Sequence, residues 1–192
     1  MAKPWADFTV VCIASGPSLT REDVERVRQW RVSGNDRRVI VTNNTYELCP
    51  WADTLYAMDS AWWRRYGQDA RYFKGEKITR GHNAPIATRQ DVHPSGNSGV
   101  GAITLAVTRG ASRVILLGYD CQYAADGKRH WHGDHIAGLG NCVSMPKFYG
   151  QFQEAARHYG GVEIVNATRR TALDFWAVVD LEGTLKNKGH TC

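Results

Sequence analysis

Short apolar runs recur along the chain, and each gives way to polar residues. Phe8 to Ala14 is apolar almost throughout. A strand covered on both faces reads as such a continuous run rather than as an alternation. The same pattern predicts strands over Arg38–Thr42, Asp53–Met58, Arg113–Leu117 and Val162–Val165, with a short one at Lys77–Thr79. Between them lie helical signals. Thr20 is an N-cap with Asp23 at the capping-box position, and Ser60 is placed to cap a helix carrying Trp62 and Trp63. Val100–Arg109 is apolar on most faces, hence a buried helix. Pro146–Tyr159 puts Phe148, Phe152, Ala155 and Ala156 on one helical face.

Strands alternating with helices predict a mostly parallel sheet with right-handed crossovers. The expected architecture is a single Rossmann-like three-layer α/β domain over residues 1–185, followed by a flexible tail at 186–192. Residues 81–101 are polar and glycine-rich. Residues 121–145 lack periodicity and read as a long functional loop, a histidine-rich lid. From Thr168 onward the chain is read as helical at most.

The polar residues that follow the strands are the most informative feature. They are Ser15-Gly16-Pro17-Ser18, Asn43-Asn44, Asp59, Gly118-Tyr119-Asp120 and Asn166. In a parallel sheet these strand ends share one edge, and ligands bind in the crevice beyond it. Gly96-Asn97-Ser98-Gly99 is a second glycine turn that opens a helix. Two such turns offer helix N-terminal amides and a positive dipole to phosphate. The candidate nucleotide-binding residues are therefore Gly16, Pro17, Ser18, Asn43, Asn44, Asp59, Asn97, Ser98, Gly99, Gly118 and Asp120. The plainer alternative is that Ser18 and Ser98 merely cap their helices.

His130-Trp-His-Gly-Asp-His135 places three histidines and an aspartate within six residues. One reading makes a histidine the general base of a transfer reaction. Another makes His130, His132, Asp134 and His135 metal ligands.

Charge and cysteine usage sharpen the picture only a little. The net charge of +5 gathers between Arg64 and Arg80, where Trp62, Trp63, Tyr66, Tyr72 and Phe73 are interleaved. This is either a solvated face with aromatics turned inward or a groove for an anionic strand such as DNA. Five scattered cysteines without a C-x-x-C pair suit reduced thiols in a cytoplasm. No apolar run is long enough for a membrane span. Seven tryptophans leave room for a buried homo-oligomer interface.

Ser15-Gly-Pro-Ser-Leu19, the strand ending in Asn43-Asn44, Gly96-Asn-Ser-Gly99 with its helix, and Val114-Ile-Leu-Leu-Gly-Tyr-Asp120 before a histidine loop occur in an order that resembles a known superfamily. It joins the bacterial CMP-sialic-acid-dependent sialyltransferases and the 6-hydroxymethylpterin pyrophosphokinase-like proteins, and the chain is similar in size to short phage-type members. The first branch implies a nucleotide-sugar donor held by Gly16, Pro17, Ser18, Asn43, Ser98 and Gly99. It implies a loop histidine, His135 or His132, as general base, with Tyr123 or, less aptly, Tyr119 assisting phosphate departure without a metal. The second branch implies ATP, with Asp59 and Asp120 as magnesium ligands. The sialyltransferase loop does not carry three clustered histidines, which leaves donor and acceptor open. Separately, His130-x-His132-x-Asp134-His135 resembles the first metal motif of the metallo-β-lactamase superfamily, implying metal-assisted hydrolysis. That family's motif follows directly on a strand and needs later histidine and aspartate ligands, whereas here only His158 and His190 follow His135.

Overall fold

The computed structural model describes residues 3–133 and 144–186. Asp134, His135, Cys142 and residues 187–192 lie outside the described residues.

The apolar runs become a single sheet. Its strands are β1 (Thr9–Ile13), β2 (Arg37–Thr42), β3 (Thr54–Tyr56), β4 (Glu76–Thr79), β5 (Thr88–Arg89), β6 (Arg113–Leu117), β7 (Glu163–Asn166) and β8 (Ala177–Val178). Their order is β5-β4-β3-β2-β1-β6-β7-β8. Every pairing is parallel. The chain grows outward from β1 as far as β5, then returns to lay β6 on the other side of β1. The order therefore reverses between β1 and β6, which run in register from Thr9 opposite Arg113 to Ile13 opposite Leu117.

Helices cover both faces: α1 (Arg21–Val32), α2 (Ser60–Ala70), α3 (Ser98–Thr108), α4 (Met145–His158) and α5 (Leu181–Lys186). The period of two along the strands sorts the core into two halves. Val11, Ile13, Val39, Val41, Leu55, Ile115 and Leu117 pack with Val24, Val27 and Trp30 of α1, Trp62 and Trp63 of α2, and Leu181 of α5. Val10, Cys12, Ile40, Tyr56, Val114 and Leu116 pack with Val100, Ile103 and Leu105 of α3 and Phe152 and Ala155 of α4. The three-layer Rossmann-like α/β arrangement expected from the sequence is what forms. One parallel sheet with helices on both sides is not the αββα fold of the metallo-β-lactamase superfamily.

Several local expectations are corrected. Thr20 caps α1 through Oγ1, which accepts the Asp23 amide at 3.2 Å. Ser60, however, does not cap α2. The cap position is Asp59, and the Ser60 hydroxyl donates to the His82 carbonyl instead. Strands β5 and β8, two residues each, lie in segments read as loop or helix. Lys186 closes α5 rather than opening the tail.

Trp5, Trp30, Trp62, Trp63 and Trp176 are buried in the chain's own core, and Trp51 and Trp131 are half-buried. The tryptophan count thus gives no reason to expect an interface. Among the described residues, no helix is long and apolar enough to cross a membrane.

Candidate functional site

Beyond the carboxyl ends of β1, β2, β3 and β6, next to the α3 N-terminus, lies a cleft of about 390 Å³. That volume suits a small-molecule ligand. It sits at the β1/β6 reversal, where parallel α/β sheets bind ligands. Ser15, Gly16, Pro17, Asn43, Asp59, Asn97, Ser98, Gly99, Gly118, Asp120 and His130 all line it. Nine of the eleven binding residues expected from sequence therefore converge on one cleft. Ser18 and Asn44 are the two that do not line it.

The floor is built by backbone crossing closely between β1 and β6. Gly118 adopts φ 72°, and a Cβ there would lie 2.5 Å from the Ala14 carbonyl oxygen. Its own carbonyl accepts the Gly16 amide at 2.8 Å. A Cβ on Gly16 would meet Asp120 Oδ1 at 1.9 Å. Glycine is required at both positions, by conformation at the first and by contact at the second.

The first glycine turn does not present the free amides expected of a phosphate cradle. Gly16 N–H is spent on Gly118, Pro17 has none, Leu19 N–H goes to the Gly16 carbonyl at 3.2 Å, and Ser18 N–H goes to Asp120 Oδ2 at 2.9 Å. A carboxylate of the protein itself occupies the place where a phosphate was expected. Asp120 is buried, and its Oδ1 has no hydrogen-bond partner among the described residues. Burial, offset in part by Ser18, pushes its carboxyl up to about 6.

The second turn is different. Asn97, not Ser98, is the N-cap of α3: its Oδ1 accepts the Val100 amide at 3.0 Å, and its Nδ2 donates to Gln151 of α4 at 2.9 Å. The amides of Ser98 and Gly99, at the first two helical positions, have no acceptor within the helix. The Ser98 hydroxyl accepts the Met58 amide and donates to Asn43 Oδ1, each at 3.1 Å. One side chain thus ties the ends of β2 and β3 to α3. Asn43 reaches it from a left-handed backbone, φ 48°, which asparagine tolerates better than most residues. Asn44 turns the other way: its Oδ1 accepts Trp62 Nε1–H at 2.8 Å and its Nδ2 donates to Glu47. Its role is to hold α2, not a ligand. Asn166 is likewise buried in its own turn, bonded to Thr168 and Thr171.

The histidine segment divides. His130 is buried, lines the cleft, and shares a 2.9 Å hydrogen bond between its Nδ1 and Ser15 Oγ. The Trp131 amide donates to the Ser15 carbonyl at 3.0 Å, docking the segment onto the end of β1. His132 does not line the cleft. It stacks on His130 with ring centroids 5.1 Å apart and planes 7° from parallel. Stacked rings direct their nitrogens along parallel planes rather than toward a common point, and Ser15 holds one His130 nitrogen. The two remaining ligand candidates, Asp134 and His135, lie outside the described residues. Among the described residues there is no group of three or more metal-ligating side chains. Tyr123 is 44% exposed, beside the Arg129 guanidinium, and does not itself line the cleft. Tyr119 is buried and lines the cleft, and its hydroxyl donates to the Gly99 carbonyl at 3.1 Å.

Asp59 stands at the solvent-exposed rim. Protein packed on its inner side raises its carboxyl above the ordinary value. Two cations not singled out by sequence, Arg129 and Lys147, line the same cleft. Arg129 lies in a segment without strand or helix signals and Lys147 on the first turn of α4, and only the fold brings the two to one cleft. Phe148 and Phe152 of α4 supply an apolar wall.

The basic stretch turns three of its five aromatics inward, while Tyr66 is half-buried and Tyr72 exposed. Trp62, Trp63 and Phe73 are buried, and the Arg71 guanidinium lies 4.7 Å from the exposed Tyr72 ring. Comparison with known proteins gives no match: no protein-family model, no curated protein and no solved structure matches this chain.

Proposed function

We propose that the chain is a nucleotide-dependent transferase that binds an activated donor in the β1/β6 cleft, with glycosyl transfer from a nucleotide sugar as its chemistry. The observation that carries this reading is the convergence of Gly16, Asn43, Asn97, Ser98, Gly99, Gly118 and His130 on one cavity at the strand-order reversal. Ser98 and Gly99 amides, with Lys147 and Arg129, suit the donor phosphates. Phe148 and Phe152 give the donor an apolar surface. His130, which lines the cleft where His132 does not, suits the role of accepting a proton from an acceptor hydroxyl. His135, the other candidate base, lies outside the described residues.

The second reading, ATP- and magnesium-dependent pyrophosphoryl transfer, assigns Asp59 and Asp120 as ligands. Both border the cleft. Asp120 fits the role poorly, because Oδ2 is bonded to Ser18 and Oδ1 is sealed against Gly16. Magnesium favours carboxylates that can reach out alongside several waters, and here only Asp59 can do so.

A thermal-shift panel of CMP, UDP, ADP, CDP and ATP, each with magnesium and with EDTA, tests the proposal. Stabilisation by at least one nucleotide in EDTA is expected. Stabilisation that appears only with magnesium favours the second reading, and none by any nucleotide removes both.

A further inference from the structure

Ser15 leaves β1 in the strand-to-helix turn at the strand-order reversal, and its Oγ lies 2.9 Å from His130 Nδ1 in a buried hydrogen bond. Both residues line the cleft. A hydroxyl within hydrogen-bond reach of an imidazole, in a sharp turn between a strand and a helix, is the arrangement that makes serine a nucleophile. The neighbouring residues suit the role. Gly16 and Gly118 add no side chains of their own to the turn, which Asp120 braces from the β6 side. The segment carrying the histidine is fixed to Ser15 a second time, through the Trp131 amide. Arg129, Lys147 and the first amides of α3 line the same cavity, along with the carboxyls of Asp59 at the rim and the enclosed Asp120; the cations and amides suit an electrophile bearing negative oxygens.

We propose that Ser15 and His130 form a nucleophile–base dyad that reacts with tetrahedral phosphorus carrying a good leaving group, as in a phosphoanhydride or activated phosphoester. In this step Ser15 Oγ forms a bond to phosphorus, the bond from phosphorus to the leaving group breaks, and the leaving group departs with the bonding pair. The serine proton passes to His130 Nδ1. The product is a covalent seryl–phosphorus adduct. This activity goes beyond donor binding and does not require it, since the electrophile is defined by its phosphorus centre alone.

The test is covalent labelling of the full chain with a fluorophosphonate probe, from which fluoride leaves, followed by peptide mass spectrometry. The expected result is a single adduct on Ser15, no adduct in Ser15→Ala, and labelling slowed about 100-fold or more in His130→Gln, in the range of a lost general base. Glutamine can still hydrogen-bond the serine, and circular dichroism checks that the variant is folded. The wild-type mapping stands whether or not either variant folds. No adduct on folded wild-type protein, an adduct on a different residue, or equal rates in folded His130→Gln overturns the dyad. Nucleotide stabilisation without labelling removes this proposal alone. Labelling without nucleotide stabilisation removes the transferase reading alone.

Discussion

Asp120 holds the Ser18 amide through Oδ2 at 2.9 Å, while its Oδ1 is pressed against the α-carbon of Gly16 with no hydrogen-bond partner among the described residues. A strand-end carboxylate thereby closes the first glycine turn from within. Ionising it in this enclosure is unfavourable, and its pKa rises from 3.8 to about 6. The consequence for stability has a definite sign. Below pH 3.8 the group is protonated in both states and contributes nothing. Between 3.8 and about 6 the unfolded chain releases the proton while the folded chain keeps it, so stability falls as pH rises. Above about 6 the full destabilisation remains, of order 3 kcal/mol at most.

Asp120→Asn retains an oxygen for the Ser18 amide and removes the charge. Urea denaturation at pH 7.5 is expected to find it more stable than wild type by about 1–3 kcal/mol, with the difference shrinking toward zero near pH 4. A variant equally destabilised at both pH values would show that Asp120 contributes through shape or bonding rather than through its charge.

Ser98→Ala removes the hydroxyl that joins Met58 to Asn43. The Met58 amide then lacks its acceptor, and a loss of about 1–3 kcal/mol is expected. Chemical denaturation measures this directly. Ser18→Ala, which keeps its backbone bond to Asp120, is expected to cost less.

Gly118→Ala combines a left-handed backbone with a Cβ 2.5 Å from the Ala14 carbonyl. The conformation alone costs about 1–2 kcal/mol, and the backbone clash adds to it. The expected result is a destabilisation clearly above 2 kcal/mol. Wild-type stability in this variant would mean that β1 and β6 do not cross as closely as described.

Much of this was legible in the sequence. β1 and β6 announce themselves because a strand buried on both faces is apolar along nearly all its length, as both are after their first residues, Thr9 and Arg113, and the polar residues that follow them fall at one edge by the geometry of a parallel sheet. Strands β5 and β8 were not legible. Thr88–Arg89 and Ala177–Val178 are exposed and two residues long, and they exist only by pairing with β4 and β7. Nor could the chain order alone separate Asn43 from Asn44, or His130 from His132. A left-handed φ sends the first asparagine to Ser98 while its neighbour serves Trp62, and docking onto Ser15 chooses the histidine. The occupation of the α1 turn by Asp120 depends on a contact between residues 102 positions apart, which no local pattern reveals.

The sealed carboxyl also bears on metal dependence. With Asp120 enclosed, nucleotide affinity measured by calorimetry is expected to change less than about threefold between magnesium and EDTA. A loss of tenfold or more in EDTA, about 1.4 kcal/mol, would mean that magnesium is held there, by Asp59 or by an Asp120 opened toward the ligand, and would favour pyrophosphoryl transfer.

The central claim is that one cleft between the ends of β1 and β6 receives a nucleotide with its phosphates at the start of α3. An amide nitrogen–proton NMR titration with CDP, UDP and ADP tests it most directly. The expected result is saturable shifts for at least one nucleotide, largest at the Ser98 and Gly99 amides and extending to Gly16, Asn43 and His130. Shifts confined to the basic stretch from Arg64 to Arg80, or none with any nucleotide, would contradict it.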